Sequence, residues 1–332
     1  MKYPKITIVT PSYNQGHFLE QTILSVLNQN YPNLEYMVVD GGSTDNSVDI
    51  IRKYEERLTF WVSEKDKGQS DAINKGLKKA TGDIFNWLNS DDYYNEKTLW
   101  EVAEEFVKKP DLKMITGKSR IFRGDETVSF SSGTDIYTDN LPKTLGMARI
   151  DQPETFFHIS AYQKMGEIDT DLHYLMDRDW WVKYLLYFGL ENTKKVDNNW
   201  VNFRLHQDSK TVSQSELFDL ERDIYYLKLA ELHNIKDKID FLSPFMTEKY
   251  QNYTLKNMPS TDKTLIEKSL DYYFLLKADE SYYKNDFKTT QQLLSLINIK
   301  NLKEESQKTF RKLRFRSHNL VSGLVKVAKK WL

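Results

Sequence analysis

Residues 6–88 alternate four times between a short apolar, β-branched run and an amphipathic helical pattern, and few folds accept that order. Ile6–Thr10 reads as a buried strand, broken by Pro11-Ser12-Tyr13-Asn14-Gln15-Gly16. A helix follows, with Leu19, Ile23, Val26 and Leu27 on one face. Leu34–Val39 is the second strand, closed by Asp40. Gly41-Gly42-Ser43-Thr44-Asp45 is a tight turn, with Ser43 or Thr44 as N-cap of a helix carrying Val48, Ile51 and Tyr54. Leu58–Val62, a helix over Ser70–Ala80 and the strand Ile84–Leu88 complete the series. Strand–helix alternation with short connections implies a mostly parallel sheet covered by helices on both faces. Such sheets bind ligands beyond the carboxyl ends of their strands. Here each of those ends carries a polar cluster: Pro11–Asn14, Asp40–Asp45, Asp66–Asp71 and Asn89–Asp92.

The last cluster follows the strand directly, in Trp87-Leu88-Asn89-Ser90-Asp91-Asp92-Tyr93. Two adjacent carboxylates repel and favour a cation beside them. Oxygen ligands of this kind suit Mg²⁺ or Mn²⁺, ions that commonly hold a phosphate as well, so a nucleotide diphosphate is the natural guest. The plain alternative is a solvated turn that caps a helix over Thr98–Val107. Composition narrows the classes further. With 332 residues, 39% hydrophobic and 29% charged, the chain is globular in type and long enough for a large domain with an appendage. A net charge of −1 gives no nucleic-acid signature, and the absence of Cys excludes disulfides, thiolate metal sites and a cysteine nucleophile. It is compatible with a reducing cytoplasm. Met1–Lys5 runs straight into the first strand, and no signal peptide or spanning helix is read there.

After Pro110 the pattern changes. Met114–Lys118 is a short strand, and Arg120–Phe122 and Thr127–Phe130 flank Arg123-Gly124-Asp125-Glu126 as a hairpin. Gln152–Phe157 reads as an apolar-aromatic strand and Asp169–Asp171 as a polar turn. Leu175–Tyr187 is an amphipathic helix with Asp177 and Asp179 at its start, where the helix dipole favours carboxylates. Val201–Leu205 is a strand leading into His206-Gln207-Asp208-Ser209-Lys210-Thr211. From Ser215 the chain reads as helical, with a helical hairpin over Tyr273–Ile297 turning at Asn285-Asp286. Phe310–Leu332 is basic and without acidic residues, and its apolar residues recur at near-helical spacing. That describes either a helix lying on an anionic membrane surface or one docked on its own domain with a solvated basic face. The Tyr-rich helical part also offers a homodimer interface.

Four segments in order and spacing resemble the family 2 glycosyltransferases: Ile6–Asn14, Val39–Asp45, Asp66–Gly76 and Trp87–Asp92. The resemblance covers residues 4–212 and is closest to bacterial enzymes of O-antigen, capsule or exopolysaccharide assembly. It implies a GT-A nucleotide-sugar-binding fold: an α/β, Rossmann-like mixed and mostly parallel sheet with helices on both faces, followed here by a helical C-terminal region. The expected organisation is a catalytic domain over 1–214, with a nucleotide-sugar half (1–118) and an acceptor half (119–214), then a helical region over 215–332. The family's roles place Thr10, Pro11 and Tyr13 around the base, and Asp40 on a uracil N–H, which makes the donor a UDP-sugar. Ser43 lines the same turn, and Asp45 stabilises it. Lys67 and Asp71 approach base or sugar, while Asn74 is either a ligand contact or a bracket between helix and loop. The family commonly has Asp-x-Asp where this chain begins with Asn89, which can still hydrogen-bond the ribose or the sugar of the donor but brings no charge. Asp91 and Asp92 then serve ribose and metal, in either assignment, with His206 near the Mn²⁺ or Mg²⁺ and the diphosphate, and Lys210 as an added phosphate contact. The family's Glu-Asp pair reads Met176-Asp177, so Asp177 is the expected base and Asp179 the fallback. Trp180 and Trp181 wall the acceptor site or fill the core.

The resemblance thus implies a metal-dependent inverting transfer, without a covalent intermediate, from a nucleotide sugar to a saccharide hydroxyl. The acceptor is expected to be lipid-linked, and the location cytoplasmic or peripheral on the inner membrane face through 310–332. A nucleotidyltransferase would carry a basic Gly-rich loop near its start, which Pro11–Gly16 lacks. A glycoside hydrolase would have no use for the turn at Asp40. The remaining alternative is a noncatalytic scaffold at a membrane surface.

Overall fold

The computed structural model describes residues 3–207, 209 and 214–318. The alternating half forms β1 (Ile6–Ser12), α1 (Gly16–Leu27), β2 (Leu34–Asp40), α2 (Ser47–Tyr54), β3 (Phe60–Ser63), α3 (Gln69–Leu77) and β4 (Ile84–Trp87). The order across the sheet is β3-β2-β1-β4, all parallel. Because successive side chains alternate across the pleat, Ile6 and Ile8 pack with Leu19, Ile23 and Val26 of α1 and with Ile51 of α2. Each such side chain, fully withdrawn from water, contributes about 1.5–3 kcal/mol. Val9 points the other way, toward α3. There the helix comes so close that a Cβ on Gly76 would lie 2.5 Å from Val9 Cγ1, so any larger residue pushes α3 off the sheet.

The turn after β2 differs from expectation. Neither Ser43 nor Thr44 caps α2, which starts at Ser47. Asp45 accepts from Ser47 N (3.0 Å) and Gly16 N (2.9 Å) instead. Ser43 Oγ and Thr44 N are engaged by Asn14, whose backbone N donates to Ser43 Oγ (2.7 Å) and whose Oδ1 accepts from Thr44 N (2.8 Å). The turns after β1 and β2 are therefore one hydrogen-bonded unit.

The second half adds β5 (Tyr93–Tyr94), α4 (Thr98–Lys108), β6 (Met114–Arg123), β7 (Glu126–Phe130), α5 (Leu141–Met147), β8 (Thr155–His158), α6 (Ile159–Met165), α7 (Met176–Phe188) and β9 (Thr193–Arg204). The sheet continues β4-β8-β6-β9-β5, with β7 a hairpin on β6. β8 runs antiparallel to both β4 and β6, β9 is parallel to β6, and β5 is antiparallel to β9. The strand expected over Gln152–Phe157 begins only at Thr155. Gln152–Glu154 is a 3-10 turn, since Pro153 has no N–H to give a ladder. Over the face opposite α1, Trp180 meets Phe85, Trp87 and Phe157 edge-on at 6.0–6.4 Å between ring centres. Trp180 and Trp181 are both fully buried, so both are core.

The described residues form two compact units. The first holds the sheet and takes in residues up to Ile136, Arg149–Glu221 and Lys256–Met258. The second comprises Tyr137–Ala148, Arg222–Leu255 and the described residues from Pro259 onward. Beyond β9 the elements are α8 (Ser215–Leu232), α9 (Lys236–Leu242), α10 (Lys263–Tyr283), α11 (Phe287–Ser295) and α12 (Glu304–Arg316). Within the second unit α5 packs on α10, and the Tyr226 and Tyr273 rings stack at 3.8 Å. Tyr225, Tyr226, Tyr272 and Tyr273 are all fully buried, whereas Tyr283 is exposed. α10 and α11 form the expected hairpin, with Asp286 accepting from Thr289 N. Of the basic segment over Phe310–Leu332, residues 310–318 fall within and just beyond α12, and the rest lies outside the described residues. Among the described residues no helix is long and apolar enough to cross a membrane.

Candidate active site

A cavity of about 670 Å³ opens at the carboxyl ends of β1 and β4, within the first unit. Pro11, Ser12, Tyr13 and Gln15 come from the end of β1, and Asp66, Gly68 and Gln69 from the loop before α3. The loop after β4 supplies Asn89, Ser90, Asp91 and Asp92. The lining is completed by Ser119, Ser131, Arg149, Asp151, Gln152 and Glu154 with Met176, Asp177 and Arg178 at the start of α7, where Met176 Sδ meets Ser70 Oγ (2.8 Å). Of the residues singled out in the sequence, Pro11, Tyr13, Asn89, Asp91, Asp92 and Asp177 border one cavity. Tyr13 is 61% exposed at its mouth, open to a stacking partner.

The acidic pair is held by β5 and β9. Tyr93 pairs with Asn202 and Tyr94 with Val201, which brings the residues before β5 against those after β9. Arg204 N donates to Asp92 Oδ1 (2.9 Å), and Arg204 Nε donates to the Asp91 carbonyl (2.9 Å). The Thr22 hydroxyl reaches the carbonyls of Ser90 and Asp92 (2.8 and 2.7 Å). Asp92 is buried, and its Oδ2 has no hydrogen-bond partner among the described residues. Burial, and then the charge of Asp91, push its carboxyl well above the usual range. His206 does not border the cavity, but its Nε2 lies 2.9 Å from Asp91 Oδ2. Among the described residues no three His, Asp or Glu side chains converge as a metal cage. What converges is one carboxylate–imidazole pair and one orphaned carboxylate oxygen. That donor set fits a hard divalent ion which takes one or two protein ligands and completes its shell with phosphate and water. Asn89 is tied up differently, its Oδ1 accepting from Gln69 Nε2 (2.7 Å).

The two acidic residues at the start of α7 part company. Asp177 is partly exposed on the cavity wall, with Oδ1 accepting from Arg178 N (2.7 Å). Burial pushes its carboxyl up to about 6, against the pull of that N–H and of the Arg178 charge. Asp179 is fully buried and pairs with Lys183 Nζ at 2.6 Å, so it cannot serve as the fallback base. The approach to α7 is fixed by Glu221, whose carboxylate accepts from His173 N, Tyr174 N and Leu175 N at 2.6–3.0 Å.

The remaining expected donor contacts lie off the wall. Thr10 is buried, with Oγ1 3.1 Å from the Tyr36 hydroxyl. Asp40, expected on a uracil N–H, is fully buried. Its Oδ2 accepts from Gly42 N, Ser43 N and Ser63 Oγ, and its Oδ1 from Ser43 Oγ. It organises the turn, and Ser43 is one of its donors. Lys67 is exposed, and its backbone N donates to Asp71 Oδ2 (3.1 Å). Asn74 brackets Ile168 through reciprocal bonds of 2.8 and 2.9 Å. Lys210 lies outside the described residues.

Arg149, Asp151 and Glu154 escaped the sequence reading. Arg149 holds Asp151 through both carboxylate oxygens (2.9 and 3.0 Å) and also reaches Ser132, the Gly133 carbonyl and Asp135. Glu154 takes the hydroxyls of Ser119 and Ser131 (2.5 and 2.8 Å). Burial, then the Asp151 charge, push its carboxyl up to about 8. The one available signal was Pro153, which breaks a strand pattern just where polar residues interrupt it.

Residues 7–163 match the sequence model of Glycosyl transferase family 2. That segment belongs to the family 2 glycosyltransferases. The chain is 42% identical over 120 residues to an uncharacterised glycosyltransferase of Haemophilus influenzae, covering 35% of this chain and 48% of that protein. It is 35% identical over 119 residues to the Bacillus subtilis protein named "Putative teichuronic acid biosynthesis glycosyltransferase TuaG", covering 35% and 47%. The chain thus spans about half the length of the curated relatives it matches. In fold it is similar to the crystal structure of Staphylococcus aureus TarS residues 1–349 in complex with UDP-GlcNAc, at 15% identity and a TM-score of 0.57 over 98% of this chain and 92% of that one. The architecture is that of GT-A glycosyltransferases.

For a family 2 glycosyltransferase domain the charge balance of the cavity matters. Asp66, Asp91, Asp92, Asp151, Glu154 and Asp177 border it, against Arg149 and Arg178. An anionic diphosphate meets repulsion in such a space unless a cation accompanies it.

Proposed function

We propose that this domain transfers a sugar from a UDP-sugar to a hydroxyl of a saccharide acceptor, in bacterial surface polysaccharide synthesis, by a single inverting displacement. The observation that carries the reading is that Asp177, at the start of α7, borders the same cavity as Asp91 and Asp92. Asp177 Oδ1 is occupied by the Arg178 N–H, so Oδ2 takes the proton as the acceptor oxygen attacks the anomeric carbon. Tyr13 stacks on the base, and Gln69 and Asn89, linked to each other, face the ribose or the sugar. Asp40 acts through the turn it shapes. A Mn²⁺ or Mg²⁺ held by Asp91, His206 and the orphaned Oδ2 of Asp92 would offset charge on the departing diphosphate. UDP is favoured because the S. aureus TarS structures contain UDP and UDP-GlcNAc, an argument from likeness of fold. The catalytic portion is 1–214.

We extend the reading to a lipid-linked acceptor at the inner membrane face. Phe315 is 69% exposed among Arg311, Lys312, Arg314 and Arg316, an arrangement suited to anionic headgroups. Sedimentation of the full chain with phosphatidylglycerol vesicles tests this. Binding should fall with salt, and equal binding to neutral vesicles refutes it.

The central test is calorimetric UDP binding with and without Mn²⁺ or Mg²⁺, beside UDP release from a panel of UDP-sugars. Metal-dependent binding, weakened about 10–100-fold by Asp91→Ala or His206→Ala, is expected. Asp177→Asn should bind UDP normally and lose about 10²–10⁴ of its turnover. Failure of any UDP compound to bind with metal present refutes the donor assignment, and equal turnover by Asp177→Asn refutes the base.

A further inference from the structure

We propose that Arg178 recognises a phosphate or carboxylate group carried by the acceptor, beside the hydroxyl that Asp177 deprotonates. This rests on the glycosyltransferase reading above and adds the chemical class of the acceptor.

The argument begins with unmet hydrogen-bonding atoms. Four buried side-chain atoms without a hydrogen-bond partner among the described residues belong to cavity-wall residues: Ser12 Oγ, Gln15 Oε1, Asp92 Oδ2 and Arg178 Nη1. The first three are oxygens around the ends of β1 and β4, where nucleotide and cation are expected. The fourth is a cationic donor in the first turn of α7. A buried polar group left unpaired is costly, and such groups persist where a ligand completes them. The other guanidinium on the wall cannot take that part. Arg149 is already committed to Asp151, Asp135, Ser132 and the Gly133 carbonyl. With six carboxyl groups around the cavity, an anion entering it is drawn to Arg178.

The geometry of the reaction says which substrate brings that anion. In a single displacement the base and the departing diphosphate lie on opposite sides of the anomeric carbon. Arg178 follows the proposed base directly in the first turn of α7, and Asp177 Oδ1 accepts its backbone N–H. It therefore stands on the acceptor's side, and a group attached near the attacking hydroxyl comes within its reach. The planar fork of a guanidinium matches the paired oxygens of a carboxylate or phosphate, and a sugar hydroxyl fills it poorly.

The test uses the full chain saturated with UDP and Mn²⁺, so that a free anion cannot settle in the diphosphate's place. Glucose 6-phosphate, methyl glucuronide and neutral methyl glucoside are titrated in by calorimetry, against wild type, Arg178→Gln and Arg178→Lys. A charged sugar should bind at least about tenfold more tightly than the neutral one, and the tighter of the two names the group. Arg178→Gln should abolish the preference and keep UDP affinity within about twofold, with Arg178→Lys intermediate. Equal binding of charged and neutral sugars, or no binding of either anion, overturns the proposal. So does a preference that survives Arg178→Gln. A loss of UDP affinity beyond about tenfold in Arg178→Gln also overturns it, by assigning the guanidinium to the donor diphosphate. Failure of wild type to bind UDP at all strikes the glycosyltransferase reading first.

Discussion

Asp179 and Lys183, one turn apart on α7, form an ion pair sealed from solvent at 2.6 Å. Removing one member of such a pair strands a charge in the core. Lys183→Met should lower stability by about 3–5 kcal/mol, read from urea denaturation. Asp179→Leu with Lys183→Met should recover most of the loss. Asp177→Asn, by contrast, should change stability little.

Asp177 must be ionised to accept a proton, and its carboxyl is pushed up to about 6 by burial. The pH profile of kcat/KM should therefore fall about tenfold per pH unit below that value and flatten above it. In Asp177→Asn the acid limb should vanish along with about 10²–10⁴ of the rate. An acid limb near 4 in the wild type would show that burial does not raise the Asp177 carboxyl, and a limb that survives in Asp177→Asn would show that another group titrates.

Asp40 collects four donors from its own turn and from Ser63. Asp40→Asn turns an amide N–H₂ toward some of those donors and should cost about 1–3 kcal/mol. The ratio of UDP to GDP affinity should stay unchanged, because Asp40 does not border the cavity. A selective loss of UDP affinity at full stability would restore it as a reader of the base.

Two buried glutamates should give stability opposite slopes with pH. Burial, then the Asp151 charge, raise Glu154 to about 8, against the hydrogen bonds of Ser119 and Ser131. From about 4.5 to about 8 the native state holds a proton that the unfolded chain has released, so stability falls as pH rises. Glu154→Gln should flatten that fall. For Glu35, burial alone would raise the carboxyl, but hydrogen bonds from Thr7, Thr81 and Lys5 outweigh it and bring it to about 2. Its contribution is present above about 4.5 and is lost as pH drops toward 2. Glu35→Gln should flatten the acid side. Urea midpoints across the pH range read both.

The alternating half was legible because each strand and helix keeps its own apolar period, and four polar loops then had one place to go. The second half was less so. Only the Trp200–Asn202 stretch of β9 is fully buried, so Thr193–Asn199 shows no apolar alternation to betray a strand. Asp177 and Asp179 are about 200° apart on a helix, hence on opposite faces. Apolar residues follow on both faces, so their order alone did not say which one meets the cavity. Arg149, Asp151 and Glu154 are brought together by the 3-10 turn at Pro153 and the hairpin beyond β6, a placement no local spacing encodes.

A strand of two residues, β5, decides when this site comes into being. Asp91 and Asp92 leave β4 early in the chain, yet their positions are set by pairing with β9 and their imidazole lies 115 residues further on. During synthesis a chain that stops short of residue 200 already has β1–β4 and their helices, but its acidic pair has only the Thr22 hydroxyl to hold it, with neither β9 nor the histidine. Pairings of such sequence separation are the slow ones to form. The half that holds the nucleotide motifs is thus complete long before it can use them.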